Sequence, residues 1–193
     1  MSNTTPDRAR LLRRLAWTGA ACALGLIVLG GVVRITGSGM GCGDHWPLCD
    51  GKWFPPLDLP TLIEIGHRWA AALVSLLVFS VAVVAWRRHR AEPALLNPAS
   101  LAAVLLVVQV LLGAVTVKLA LPPWVIVTHL ANAMLLLAAL MVVGLRAGAM
   151  NGPSGPTPET RHPAHRLVLA TAALGFVVIL YGAQVANYHA GLL

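Results

Sequence analysis

Charge is the first thing this 193-residue sequence is short of. Only 11% of its residues are Asp, Glu, Lys or Arg, against 58% hydrophobic, and its mean hydropathy is +0.76. So little charge excludes an ordinary soluble globule. Strict alternation of apolar and polar residues is missing too, which excludes a transmembrane β-barrel. Acidic side chains number 7 against 14 Lys and Arg, a net charge of +7 that would suit nucleic acid if the basic residues shared one face. Cysteines number three. Between Cys42 and Cys49 only His45 could add a metal ligand, so neither a four-coordinate zinc site nor another site for a bare metal ion is expected.

What the sequence does contain is long apolar runs. Residues 15–33, 69–86, 99–117 and 119–145 carry no Asp, Glu, Lys or Arg. Each reaches the roughly 18–20 residues that a helix needs to cross hydrocarbon. A fifth run extends from Leu167 to the end. Without water the backbone must satisfy its own hydrogen bonds, and helices do so within one segment. The expected fold is all-α: a polytopic membrane four-helix bundle plus a fifth transmembrane helix.

The basic residues are distributed by loop. Arg8, Arg10, Arg13 and Arg14 precede the first run; Arg87, Arg88 and Arg90 follow the second; Arg146, Arg161 and Arg166 lie between the fourth and fifth. The alternate loops hold Arg34, Lys52 and Lys118, with Asp44, Asp50 and Asp58 nearby. This is the positive-inside pattern, which places the N-terminus in the cytoplasm and the 36–61 loop outside. The charge reflects topology, and no nucleic-acid partner is expected. A cleaved signal peptide is disfavoured, because the first apolar run is too long and Cys22 falls in its middle.

Residues 1–14 read as a cytoplasmic tail and 15–146 as a four-helix unit with the 36–61 loop outside; 87–98 is a short inner connection. Pro122-Pro123 marks a tight turn. The Gly- and Pro-rich stretch 147–165 reads as a cytoplasmic linker, and 166–193 as a fifth helix that starts a second repeat. A shift of about 152 residues pairs Arg14 with Arg166, Ala20 with Ala172, Ile27 with Ile179, Gly30 with Gly182 and Gly39 with Gly191.

Chemistry-bearing residues cluster toward the outer side. Cys42 and Cys49 could close a disulfide there or exchange thiols. Glu64 and His67, spaced i, i+3, share one helix face. Ionisable groups in a membrane helix are costly and turn toward a cavity or partner. His129 comes at a similar depth on the fourth helix, which runs in the same direction as the second. Two such imidazoles suit the axial positions of a haem held between helices; alternatively, each bonds a neighbouring helix. Arg34 and Arg68 could pair with haem propionates, or Arg34 could snorkel to headgroups.

The run Gly30-Gly31-Val32-Val33-Arg34-Ile35-Thr36-Gly37-Ser38-Gly39-Met40-Gly41-Cys42-Gly43-Asp44-His45-Trp46-Pro47-Leu48-Cys49, followed by Glu64-Ile65-Gly66-His67-Arg68, resembles the haem A synthase family of cytochrome oxidase assembly. The likeness covers the first four helices strongly and the fifth weakly. It implies a monooxygenase-type oxidoreductase of a bacterial plasma membrane that converts the C8 methyl of haem O to formyl by successive hydroxylations, with electrons from an unidentified donor. It also implies His67 and His129 as haem ligands, Glu64 as a required carboxylate and Cys42 with Cys49 as the outer-loop pair. Contacts with haem O synthase or oxidase assembly factors follow from the same likeness. Such proteins usually have two four-helix halves, the second holding a haem b. That second histidine pair has no counterpart here, since His189 falls in the register of Gly37. The expectation is therefore a chain lacking a second half, or two copies that associate. A bis-His electron-transfer cytochrome, a quinone-linked thiol oxidase and a non-catalytic assembly subunit are the alternatives.

Overall fold

The computed structural model describes residues 7–53, 58–150 and 164–188. Five helices follow in order: α1 (Asp7–Ile35), α2 (Leu59–Arg88), α3 (Pro93–Lys118), α4 (Pro123–Ala149) and α5 (Ala164–Asn187). All five are long and apolar enough to cross a membrane. Among the described residues the β structure is one isolated bridge, Cys49 with Lys52, inside the α1–α2 loop.

The helices overrun the apolar segments, and the reasons are local. α1 begins at Asp7, within the stretch read as a tail, because its Arg, Leu and Ala residues favour helix and its inner side buries Ala9 and Leu12. α2 begins at Leu59, inside the segment read as outer loop. There the Asp58 side chain accepts the Thr61 N–H at 3.3 Å, and a proline occupies the first turn. The inner connection expected over 87–98 shrinks to residues 89–92, since Pro93 suits the first turn of α3. Residues 119–122, read as the start of the fourth run, form the α3–α4 turn, with Ala120 and Leu121 at φ of 57° and 62°. Of the segment read as a linker, 147–149 belong to α4 and 151–163 lie outside the described residues, as does His189.

The neighbouring pairs are α1 with α2, α2 with α3, α3 with α4, and α4 with α1. This ring leaves α2 and α4 on diagonal corners, facing each other across the axis. The main buried cluster fills the half of the bundle away from the disulfide loop. It contains Leu12, Ala16 and Ala20 of α1, Val78 and Val81 of α2, Leu95 and Ala99 of α3, and Leu140 and Val143 of α4. Small residues let the backbones approach there: Trp17 packs against Gly144, and Arg13 lies over Gly148. Toward the loop the buried cluster stops near Ala23, Val74, Ala102 and Leu136. Beyond that level most helix residues are only half-buried or exposed, apart from a few such as Glu64, Ile65, Val117, Val125 and Asn132. The bundle is close-packed at one end and open at the other.

Candidate functional site

The open end is roofed by the α1–α2 loop. Cys42 and Cys49 are joined in a disulfide with Cα atoms 4.4 Å apart, both fully buried beside Ile65. The loop is fastened to α2 by polar contacts. The Thr61 hydroxyl donates to the Gly41 carbonyl at 2.7 Å, and the Cys42 N–H donates to Glu64 Oε2 at 2.8 Å. Arg68, one turn further on, donates from Nη1 to the carbonyls of His45 (2.9 Å), Pro47 (3.2 Å) and Leu48 (2.9 Å) and from Nη2 to Glu64 Oε1. Both oxygens of a carboxylate only 4% exposed are therefore taken by protein donors. A buried charge requires such compensation.

Beneath this roof His67 and His129 enter from the diagonal helices, each roughly two turns from its helix start. Glycines seat both rings: a Cβ on Gly30 of α1 would stand 3.4 Å from the His67 Cε1, and one on Gly113 of α3 would stand 3.4 Å from the His129 Cε1. The four-helix ring thus supplies two matching corners, each a histidine against the glycine of its neighbour. Nδ1 of each imidazole is buried with no hydrogen-bond partner, a costly condition for a polar atom in an apolar setting. Imidazoles on diagonal helices, each with a buried Nδ1 that lacks a partner, among helix residues mostly half-buried at this level, fit the haem implied by the sequence resemblance.

Other expected contacts are placed differently. Arg34, at the end of α1, donates from Nε to Asn187 Oδ1 at 2.5 Å and from Nη2 to the Ala186 carbonyl at 3.3 Å, so it clasps α5. Arg68 is the strap of the loop. Its Nε–H and the second hydrogen of Nη2 are not used in these contacts, and its side chain is 14% exposed.

Two polar residues escaped the sequence reading. Gln109 of α3 approaches His129 Nε2 with its own Nε2 at 3.2 Å. Asn132, one turn from His129 on α4, donates from Nδ2 to Gln109 Oε1 at 2.7 Å and to the Leu105 carbonyl at 2.9 Å. Their signal was present as uncharged polar side chains within apolar runs, where such groups join helices.

Fold and site together define a multi-pass helical membrane protein that opposes two histidines near one end of a four-helix bundle. The profile of the COX15-CtaA family, cytochrome oxidase assembly proteins, matches residues 13–62 and 58–193, and the chain belongs to that family. It is 36% identical over 139 residues to the Heme A synthase of Geobacillus kaustophilus (strain HTA426), covering 69% of this chain and 43% of that protein. With the Heme A synthase of Shouchella clausii (strain KSM-K16) it shares 32% identity over 184 residues, 94% of this chain and 61% of the relative. With that of Geobacillus thermodenitrificans it shares 31% over 187 residues, 95% and 58% respectively. The chain spans about half the length of the curated relatives it matches.

Proposed function

We propose that the chain acts in haem A formation, holding haem O as substrate between His67 and His129 while the C8 methyl is oxidised to a formyl group. The observation that carries this reading is the pair of opposed imidazoles, each seated on a glycine of the adjoining helix, at the open end of the bundle. The iron, when bound, supplies the redox chemistry. His67 and His129 fix the porphyrin's position, and the disulfide-closed loop above them limits access of water to its edge. Glu64, one turn from His67, is the carboxylate assigned to stabilise positive charge developing at the methyl carbon or to move protons during oxygen activation. Arg68 Nε is the propionate contact we assign, with Arg34 more distant on the α5 side. The oxidation runs as two successive hydroxylations, each consuming dioxygen and two electrons from a donor that the chain does not itself hold, with water lost from the second product to leave the formyl group.

The engagement of both Glu64 oxygens favours a second reading, a bis-His electron-transfer protein in which Glu64 serves only as the loop's anchor. One experiment separates the two. The chain is expressed in membranes that make haem O, and extracted haems are resolved chromatographically. Haem A product that disappears in His67→Ala and His129→Ala supports the proposal. For Glu64→Gln, retained low-spin haem with at least a tenfold loss of formyl product supports the catalytic role. A normal yield from Glu64→Gln would leave it an anchor.

The proposal extends to self-association. α5 is tied to the bundle mainly through α4 and Arg34 and leaves most of its apolar surface exposed. A second copy there would bring a second histidine pair into one assembly, and the mass of the detergent-solubilised protein tests this directly.

A further inference from the structure

The contacts between α3 and α4 fix more than the position of His129. The Leu105 carbonyl can only accept hydrogen bonds. Asn132 must therefore turn its amide NH2 toward it, as the 2.9 Å contact requires. The same NH2 has a second hydrogen, aimed at Gln109 Oε1 at 2.7 Å. With its oxygen so occupied, Gln109 presents its own NH2 to His129 Nε2 at 3.2 Å. An NH2 can only donate, so Nε2 must carry the lone pair and the ring proton must sit on Nδ1. Each orientation follows from the one before, and the series ends on a backbone oxygen whose polarity is unambiguous.

We propose that Asn132 and Gln109 form an amide relay that holds His129 in the tautomer with an unprotonated Nε2, ready to bind iron before haem arrives. The inference rests on the reading of His129 as a haem ligand and assigns two positioning residues to it. The relay leaves a protonated Nδ1 without a partner. That cost is offset by the three hydrogen bonds of the relay. Among the described residues no such relay reaches His67, whose Nδ1 is equally unpartnered, so it serves as the internal reference. When iron takes Nε2, the Gln109 NH2 loses its acceptor while its Oε1 stays held by Asn132. Gln109 is therefore also the group that a bound haem displaces.

The relay is tested on the haem-free protein, with histidine labelled with 15N and the purified chain in detergent or lipid. Nitrogen shifts distinguish protonated from unprotonated ring positions, and loss of signals in His129→Ala assigns the residue. We expect Nε2 of His129 to be unprotonated in the unaltered chain. Asn132→Leu and Gln109→Leu, which keep similar volume, should each produce a substantial protonated Nε2 population without moving the His67 signals. A protonated Nε2 in the unaltered chain would overturn the relay, and that result needs no variant to fold. So would His129 signals identical in the unaltered chain and both variants. The haem reading is checked separately. A low-spin spectrum that survives in His129→Ala would remove the ligand assignment, while the nitrogen shifts would still report on the relay.

Discussion

At the scale of single residues the site depends on where side chains are missing as much as on where they stand. Gly30 and Gly113 leave room for one imidazole each, and a Cβ at either would stand 3.4 Å from ring carbon. Gly113→Ala should be tolerated with a small adjustment. Gly113→Val adds two branched methyls on a stiff χ1 and should rotate His129 off its axis, weakening ferric haem b binding by tenfold or more while the helical signal persists. Equal affinity in the Val variant would show that the ring does not need this seat. Gly41 is more exacting, since a Cβ there would lie 2.6 Å from the Pro60 carbonyl carbon and oxygen and 2.7 Å from the Thr61 nitrogen, all backbone. Gly41→Ala should push the loop off α2 and cost on the order of 1–3 kcal/mol, as overpacking does. The checks are a lowered melting temperature and faster reduction of the buried disulfide. Glu64, His67 and His129 stood out in the sequence because ionisable groups are rare in apolar helices. Gly30 and Gly113 could not be singled out, because a glycine among alanines and leucines reads as any small residue until its neighbour is known. Gln109 and Asn132 were visible as polar residues, but their partners lie on another helix.

Between elements, the polar ends of the helices show how sequence features combine. Pro98 sits inside α3 and has no N–H to donate to the carbonyl of Ala94, one turn earlier. Arg146, from the last turn of α4, donates its Nη1 to that same Ala94 oxygen at 2.9 Å. A defect in one helix is thus satisfied by the charged end of the next. The two changes should be non-additive. Arg146→Ala alone leaves the carbonyl to water and should cost about 1 kcal/mol, whereas in a Pro98→Ala background, where the helix regains its own donor, the cost should fall. Equal costs in both backgrounds, read from detergent-solubilised unfolding, would dissociate the pair. From the sequence, Arg146 was legible as a topology signal, while Pro98 fell at the end of the stretch read as the inner connection. Their link required the α3–α4 crossing. Helix number and order were legible because hydrophobic length sets them. Helix starts were displaced because caps and first-turn prolines, at Asp58 and Pro93, carry helices beyond the apolar run.

For the whole molecule the uneven packing and the uneven charge fall along the same axis. The close-packed end carries Arg13 and Arg146, and the open end carries the disulfide loop and the histidine pair. Arginine side chains gathered at one end resist transfer across hydrocarbon, and on that ground we propose that this end is cytoplasmic and the histidine pair lies toward the opposite side. On that proposal, topology sets the face from which a haem would reach the open half. Trp53, 72% exposed, lies in the loop, and Met150, 47% exposed, lies just past α4 at the packed end. Single thiols at these positions, in a Cys22→Ala background that keeps the Cys42–Cys49 disulfide, report the two sides separately. An impermeant maleimide should label Trp53→Cys in intact spheroplasts and Met150→Cys only after the membrane is opened. Labelling in the reverse order would put the arginine-rich end outside, and the direction of haem access would have to be inverted with it.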